Sequence, residues 1–142
     1  MKMKTLKEGI ITHADSLGEL FKFSAEHTCR SMLHSLEEFA NMEFVTFKEL
    51  TAGFFLGFEH YLWASGCSRN TSACYFRALR AICREAEKEK ELKDAKRLFC
   101  EVFMGYEETR KRALSIEQLR MVADADLEDT PSLGVARDLF IL

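Results

Sequence analysis

The sequence predicts an all-α protein, on the evidence of its helix breakers, its apolar spacing and its helix caps. A single proline, Pro131, and seven glycines interrupt 142 residues, which favours long helices over a sheet with many turns. Apolar positions such as Met32 and Leu36 recur at spacings of three and four, as a buried helical stripe requires. Serine or threonine stands directly before several of these stretches, where a helix N-cap is expected. We therefore expect a helical bundle.

The first fifty residues predict an arm, two helices and a connector. Residues 1–15 are expected to be an N-terminal arm or a frayed start, followed by a short helical stretch near 16–22. Ser24 is positioned to cap a longer helix over 25–41. The segment 42–50 contains β-forming side chains, but no partner strand is evident in the sequence. We expect a connector that ends in a short turn.

The next fifty residues give the strongest helical signals. Thr51 precedes an apolar stretch that predicts a helix, and Gly66 follows it at the position of a left-handed C-terminal cap. Ser68 is positioned to cap a helix over about 69–89. A polar stretch leads to 95–104, which is expected to form a short helix that closes the bundle.

A second domain is predicted to begin near the end of the chain. Residues 105–114 are polar and charged, which is typical of a linker. Ser115, with a glutamine three residues later, fits a capping box that opens a helix over 116–125. The apolar segment 133–142 predicts another helix that is still apolar at the last residue. We therefore expect 115–142 to be the truncated start of a further domain.

Composition and cysteine usage limit the class of protein. Hydrophobic residues make up 47% and charged residues 30% of the chain, a balance typical of a globular protein with a core. The five cysteines are odd in number and no two form a Cys-x-x-Cys pair, so neither a disulfide framework nor a zinc site is predicted. No signal peptide and no apolar run long enough for a bilayer is evident. We expect a cytoplasmic protein with reduced thiols and no membrane partner.

The formal net charge of −3 hides a basic middle segment. Residues 68–112 carry 12 positive and 8 negative side chains, whereas the segments on either side are acidic. On a helical wheel of 69–89, one side is an apolar stripe and the opposite side is basic. The apolar stripe consists of Tyr75, Leu79, Ile82 and Ala86, and the basic side consists of Arg77, Arg80, Arg84 and Lys88.

This basic side suits the phosphates of DNA. The first turn carries Arg69, Asn70 and Thr71, beside backbone amides that favour an anion. Arginine can also reach guanine edges in a major groove. The alternative is an ordinary solvated face, since Glu85 and Glu87 partly offset the cations.

Helix 25–41 offers a second polar strip, and no chemistry beyond binding is predicted. The strip consists of His27, Arg30, Ser31, His34 and Ser35. His27 and His34 share a face, but no third ligand stands at a suitable spacing, so we predict no metal site and no cofactor. The sequence also lacks a Gly-x-Ser-x-Gly elbow and a phosphate-cradling glycine-rich loop. No catalytic residue is predicted.

The order of these elements resembles the tyrosine recombinase (phage integrase) family, particularly integrases of mobile elements in Bacteroidetes. The family pattern is a helix ending in Tyr-Leu, a glycine, Ser-x-Asn-Thr, a tyrosine, Leu-Arg and a closing alanine. The corresponding positions here are Tyr61-Leu62, Gly66, Ser68-Arg69-Asn70-Thr71, Tyr75, Leu79-Arg80 and Ala86. Residues 111–122 are similar to the opening of the family's catalytic domain, and 136–142 resemble the helix that leads to its first catalytic arginine.

The resemblance implies a DNA-binding function. It implies a SAM-like four-helix core-binding domain at 16–104, whose helices near 25–41 and 69–89 lie across duplex DNA while a catalytic domain closes the clamp. The expected contacts are Arg30, His34, Arg69, Asn70, Thr71, Arg77, Arg80, Arg84 and Lys88, with Lys111 and Arg112 in the linker. The family's catalytic residues are expected beyond Leu142, so whether this chain is an enzyme stays open. The full recombinase is expected to self-associate on DNA.

Two other interpretations remain. A helical protein-interaction module with no nucleic-acid role would suit the net charge of −3. A helix–turn–helix regulator would need a short recognition helix, which the long basic helix fits poorly.

Overall fold

The computed structural model describes residues 3–109 and 113–142, and there it contains helices and no strand. The all-α prediction is confirmed. The α-helices are α1 (Leu6–Glu19), α2 (Phe23–Phe39), α3 (Ala52–Ala64), α4 (Arg69–Lys88), α5 (Ala95–Leu98), α6 (Ile116–Asp124) and α7 (Pro131–Ile141), and a 3-10 turn covers Phe47–Glu49. The chain divides into two compact units, unit 1 (Met1–Glu107) and unit 2 (Glu108–Leu142).

Helix α1 corrects the prediction of an N-terminal arm over 1–15. The helix begins at Leu6, where Thr5 and Glu8 form a reciprocal capping box. Leu6 and Ile10 have no exposed surface, and α1 packs along α2. Since the amide of Leu6 also donates to the carbonyl of Val45 at 2.8 Å, the start of α1 is part of the bundle.

Helix α2 begins two residues before the predicted start and ends two residues before the predicted end. Its N-cap position is Lys22, with no side-chain cap, so the prediction that Ser24 is the cap is wrong. The connector that follows ends in the 3-10 turn, as predicted, and its only bridge in the described residues is an isolated one between Thr5 and Thr46.

Helices α3 and α4 form as their caps predict. The Thr51 hydroxyl accepts a hydrogen bond from the amide of Phe54, and the Ser68 hydroxyl accepts one from the amide of Thr71. Between the helices, Gly66 has a φ of 91°, which glycine adopts without steric cost. Phenylalanines from both helices fill the core. There Phe55 of α3 stacks on Phe99, which directly follows α5, with ring centroids 4.9 Å apart.

The end of unit 1 is less helical than the sequence predicts. Helix α5 covers four residues instead of the predicted 95–104, and the chain then continues without regular structure. Its course is fixed by Glu59, which is 2% exposed and accepts a hydrogen bond from the amide of Phe103 at 2.7 Å. A buried carboxylate with a backbone donor replaces the helical hydrogen bond that a longer α5 would make.

Unit 2 consists of two helices with no buried side chain. The predicted capping box of Ser115 and Gln118 opens α6, and Pro131 occupies the first turn of α7. Arg137 donates to the carbonyl of Ala125 at 2.6 Å and joins the two helices. No helix in either described range, 3–109 or 113–142, is both long and apolar enough to cross a membrane.

Candidate nucleic-acid interface

The outer face of α4 carries the predicted row of cations. The opposite side of the helix buries Phe76, Leu79 and Ile82 in the core, which fixes the orientation of the helix. Phe76, which the predicted stripe omitted, is fully buried, and Tyr75, which it included, is only partly buried. Of the four cations, three are exposed and Arg80 is half-buried.

The four cations differ in the ion pairs and hydrogen bonds that they form within the protein. Arg80 and Arg84 form no ion pair with any described residue, so both charges are open to an anion. Lys88 contacts the Glu85 carboxylate at 3.1 Å, an exposed pair that contributes little stability. Arg77 donates a hydrogen bond to the sulfur of Cys74 at 3.1 Å and keeps its charge uncompensated within the described chain.

The first turn of α4 is organised around Trp63. The guanidinium carbon of Arg69 lies 4.9 Å from the ring centroid of Trp63, a cation–π contact. The indole nitrogen of Trp63 donates to the Ser72 hydroxyl at 3.0 Å, which fixes the ring against the helix. Arg69 is therefore preorganised beside the turn, with no carboxylate partner among the described residues.

Asn70, a predicted DNA contact, has both ends of its amide engaged elsewhere. Its nitrogen donates to the carbonyl of Glu107 at 2.8 Å, and its oxygen accepts from the amide of Glu107 at 2.6 Å. This paired contact ties the end of unit 1 to the start of α4. No sequence signal identifies it, because the two residues lie 37 positions apart.

The basic side chains of the polar strip on α2 are paired with carboxylates, which its sequence alone does not show. Arg30 donates to Glu26 and to Asp15 at 2.7 and 2.9 Å, and these hydrogen bonds raise the pKa of Arg30 above its already high value. His34 lies 3.3 Å from Glu38, and Glu38 also accepts from the Tyr61 hydroxyl. The Glu26–Arg30 pair is predictable from the sequence by its i,i+4 spacing, whereas the contact of Arg30 with Asp15 on α1 is not.

The strips on α2 and α4 belong to neighbouring helices. Helix α2 packs on α4, with Ser35 on α2 and Tyr75 on α4. Burial raises the pKa of Tyr75, and the Ser35 side chain acts in the opposite direction. The described residues contain no group of three or more side chains placed to hold a metal ion. The two predicted linker contacts, Lys111 and Arg112, lie outside the described residues.

Comparisons with known proteins identify the helical bundle. No curated protein and no solved structure matches the chain. Residues 6–102, which span α1 to α5, match the family described as the phage integrase SAM-like domain. The match covers more than half of the 142 residues, and its first residue is the first residue of α1. The chain therefore belongs to the phage integrase SAM-like domain family, the N-terminal all-α domain of tyrosine recombinases.

Proposed function

We propose that this chain is the DNA-binding N-terminal part of a site-specific tyrosine recombinase and holds duplex DNA with α4 and α2. The observation that carries the proposal is the outer face of α4, where Arg80 and Arg84 have no anionic partner among the described residues. Cations held on a rigid helix without carboxylate partners can neutralise phosphates at little cost in lost ion pairs.

In this proposal α4 makes the main contact. Its cations follow one strand of backbone phosphates, and Arg69 extends the row at the N-terminal end of the helix. The proposed α4 contacts are Arg69, Thr71, Arg77, Arg80, Arg84 and Lys88. Asn70 is left out, because a contact with DNA would break both of its hydrogen bonds with Glu107.

Helix α2 is proposed as the weaker side of the interface. His34 is exposed, but Glu38 competes with a phosphate for its ring nitrogen. Arg30 would have to exchange two carboxylates for one phosphate, which returns little net free energy. The linker residues Lys111 and Arg112 remain proposed contacts on the strength of the family resemblance alone.

The wider role follows from the family. The parent protein is proposed to cut and rejoin DNA strands during integration or excision of a mobile element, in the cytoplasm, with copies that associate on the DNA. No described side chain is proposed to be catalytic.

Fluorescence anisotropy of a labelled duplex, titrated with this chain at several salt concentrations, tests the proposal. The variant Arg77→Glu/Arg80→Glu/Arg84→Glu is expected to weaken binding at least tenfold and to reduce the salt slope by about 3. The matched control is Lys93→Glu/Lys96→Glu/Arg97→Glu, which makes the same charge change on exposed residues outside α4.

The outcomes separate the interpretations clearly. Strong loss in the α4 variant with a small loss in the control supports α4 as the contact. Equal losses would mean that only net charge matters, and binding that survives the α4 variant would mean that α4 is the wrong helix. Absence of binding by the unmodified chain at low salt would favour a helical protein-interaction module.

A further inference from the structure

A cavity with a basic lining lies beside the start of α3 and the segment that joins α4 to α5. Its volume is about 950 Å³, within the range of roughly 300–1,000 Å³ that small-molecule sites occupy. Three leucines contribute apolar surface to its wall. Its lining also contains four cations that the DNA-binding proposal does not use, and we call this site the basic cavity. The four cations are Lys48, Lys90, Lys93 and Arg97.

The turn that ends α4 brings two of these cations to the basic cavity. Helix α4 ends in a Schellman motif, in which the amides of Lys90 and Glu91 donate to carbonyls near the end of the helix. Lys90 takes the position that glycine usually occupies, with a φ of 63°. The chain turns at this motif, and Lys90 and Lys93 line the basic cavity together with Lys48 of the 3-10 turn.

The four cations have no anionic partner in the part of the chain that the structure describes. None of them forms an ion pair with a described residue, although 23 residues of the chain are acidic. Glu91 and Asp94 also line the basic cavity, so its lining carries four positive and two negative side chains. A concave site with an excess of positive charge concentrates the electric field and attracts anions.

The first turn of α3 adds hydrogen-bond donors to this excess of positive charge. The amides of Ala52 and Gly53 precede the hydrogen bonds of the helix and have no acceptor among the described residues. Gly53 has no side chain, and a Cβ there would meet only the Thr51 hydroxyl within 4 Å. A ligand in the basic cavity therefore has room beside these amides.

We propose that the basic cavity binds a small anion that carries two or more phosphate groups. Phosphate suits its cations, because a guanidinium binds phosphate through two parallel hydrogen bonds and an ammonium binds it as a point charge. The cations belong to separate elements, since Lys48 lies in the 3-10 turn, Arg97 on α5, and the other two between α4 and α5. A single phosphate is too small to contact all of these elements, whereas a chain of phosphates can.

Duplex DNA suits the basic cavity less well than a small anion. A duplex presents its phosphates on a convex surface, which an exposed row of cations such as that on α4 can follow. The cations of the basic cavity line a concavity instead, beside the carboxylates of Glu91 and Asp94. This site is therefore independent of the DNA contact proposed on α4.

Isothermal titration calorimetry of the full chain with inorganic tripolyphosphate tests the site. At about 0.15 M salt, attraction between exposed charges is screened beyond about 8 Å, which suppresses loose association with the surface. Lys93→Glu/Arg97→Glu is expected to weaken binding by about tenfold or more, because repulsion replaces two charge-assisted contacts. The matched control is Lys22→Glu/Lys96→Glu, which makes the same charge change at exposed lysines outside the basic cavity.

Other ligands define which phosphate compound is recognised. Inorganic phosphate is expected to bind about tenfold more weakly than tripolyphosphate, because it loses the contacts to some of the elements. Binding of ATP as tight as that of tripolyphosphate would mean that only the phosphate chain is recognised. Tighter binding of ATP would mean that the apolar wall also holds the nucleoside.

Amide NMR spectra locate the ligand without any variant. Tripolyphosphate is expected to shift the amide signals of Ala52, Gly53 and residues 90–97 and to leave those of α2 unchanged. Arg77→Glu/Arg80→Glu/Arg84→Glu is expected to keep the binding of tripolyphosphate, and Lys93→Glu/Arg97→Glu to keep the binding of duplex DNA. A chain that binds tripolyphosphate but no DNA would contradict the proposed function and leave the basic cavity supported.

Four results would overturn the basic cavity as a phosphate site. The first is an unmodified chain that does not bind tripolyphosphate at about 0.15 M salt. The second is binding that survives in Lys93→Glu/Arg97→Glu, and the third is an equal loss in Lys22→Glu/Lys96→Glu. The fourth is inorganic phosphate that binds as tightly as tripolyphosphate, which would contradict a ligand with two or more phosphate groups.

Discussion

At the scale of single residues, two polar side chains hold one stretch of backbone at the end of unit 1. Glu59 accepts from the amide of Phe103, and Asn70 pairs with both backbone groups of Glu107. Each partner lies more than 35 residues away in sequence. Sequence patterns describe neighbours along a helix, so they assigned Asn70 to a polar face and gave Glu59 no role.

Asn70→Asp is expected to destabilise unit 1 by about 1–2 kcal/mol. The aspartate keeps the acceptor for the amide of Glu107 but loses the donor, and its charge faces the Glu107 carbonyl oxygen. Hydrogen exchange of the Glu107 amide should accelerate, and urea unfolding should report the lost stability. Asn41→Asp is the control, because Asn41 serves only as an acceptor, for the amide of Glu43. A Glu107 amide that exchanges at an unchanged rate would contradict the stabilising role of the paired hydrogen bonds between Asn70 and Glu107.

The buried thiol of Cys83 makes the free energy of unfolding of unit 1 depend on pH in the alkaline range. Burial raises the pKa of Cys83 to about 12 from an ordinary value of 9.0. Between these values the unfolded chain loses the thiol proton and the folded chain keeps it, so the free energy of unfolding falls as pH rises. The expected loss is about 1.5 kcal/mol between pH 9 and pH 10.5.

Urea unfolding at a series of pH values measures this loss. Cys83→Ala should be slightly less stable at pH 8 and should lose less stability toward pH 10.5 than the unmodified chain. The difference between the two curves removes the titration of all other groups. Parallel curves would show that Cys83 does not carry the pH dependence.

At the scale of secondary structure, a clear apolar pattern made a helix predictable, and a side-chain cap located its first residue. Thr51, Ser68 and Ser115 each stand before a long helical pattern, and each caps its helix. Helix α1 has the same signal in Thr5 and Glu8, but its buried stripe is narrow and includes Gly9, a poor helix former. Helix α5 is shorter than its apolar pattern predicts. It ends at Leu98, and the amide of Phe103 donates to the Glu59 carboxylate on α3 instead of continuing a helix.

Gly9→Ala is expected to destabilise unit 1, although alanine favours a helix. A Cβ at position 9 would lie 2.5 Å from the ring of Phe47, which is 1% exposed and has little room to move. Overpacking costs about 1–3 kcal/mol, more than the ~1 kcal/mol gained in helix propensity.

Gly53→Ala on α3 is the matched control. A Cβ there would meet only the Thr51 hydroxyl at 3.7 Å, so the helix propensity of alanine is gained without a clash. Thermal unfolding should move the midpoints of the two variants in opposite directions. A neutral Gly9→Ala variant would mean that α1 does not press against Phe47 as described.

At the scale of the whole molecule, the two units differ in how their helices are stabilised. Helix α4 buries seven side chains, whereas α6 and α7 bury none. Isolated helices of their lengths, 9 and 11 residues, are marginal in water. Packing therefore stabilises unit 1, whereas the described helices of unit 2 bury no side chain and only α6 has a side-chain N-cap.

Hydrogen exchange followed by mass spectrometry should show this difference directly. Amides of α3 and α4 are expected to exchange only through global unfolding of unit 1, and those of α6 and α7 orders of magnitude faster. The caps of α6 provide an internal check, since Ser115→Ala should accelerate exchange there and leave α4 unchanged. Protection of residues 116–141 equal to that of α4 would contradict this view.

The basic face itself was predictable at this scale, but the state of its cations was not. Periodicity alone assigned Arg77, Arg80 and Arg84 to one side of a helix. Whether a cation is free depends on residues from other elements, as the capture of Arg30 by Asp15 on α1 illustrates. Net charge was uninformative, because the acidic segments on either side of the basic one determine its sign.

The single tryptophan of the chain gives the protein an intrinsic optical probe of its first α4 turn. Trp63 carries a guanidinium over its ring and a hydroxyl on its nitrogen, both from α4. A phosphate that draws Arg69 away would leave the indole in a less polar and less cationic environment. The wavelength and intensity of Trp63 fluorescence would then report whether a phosphate is bound at that turn, without any attached dye. Both would stay constant if a ligand bound elsewhere.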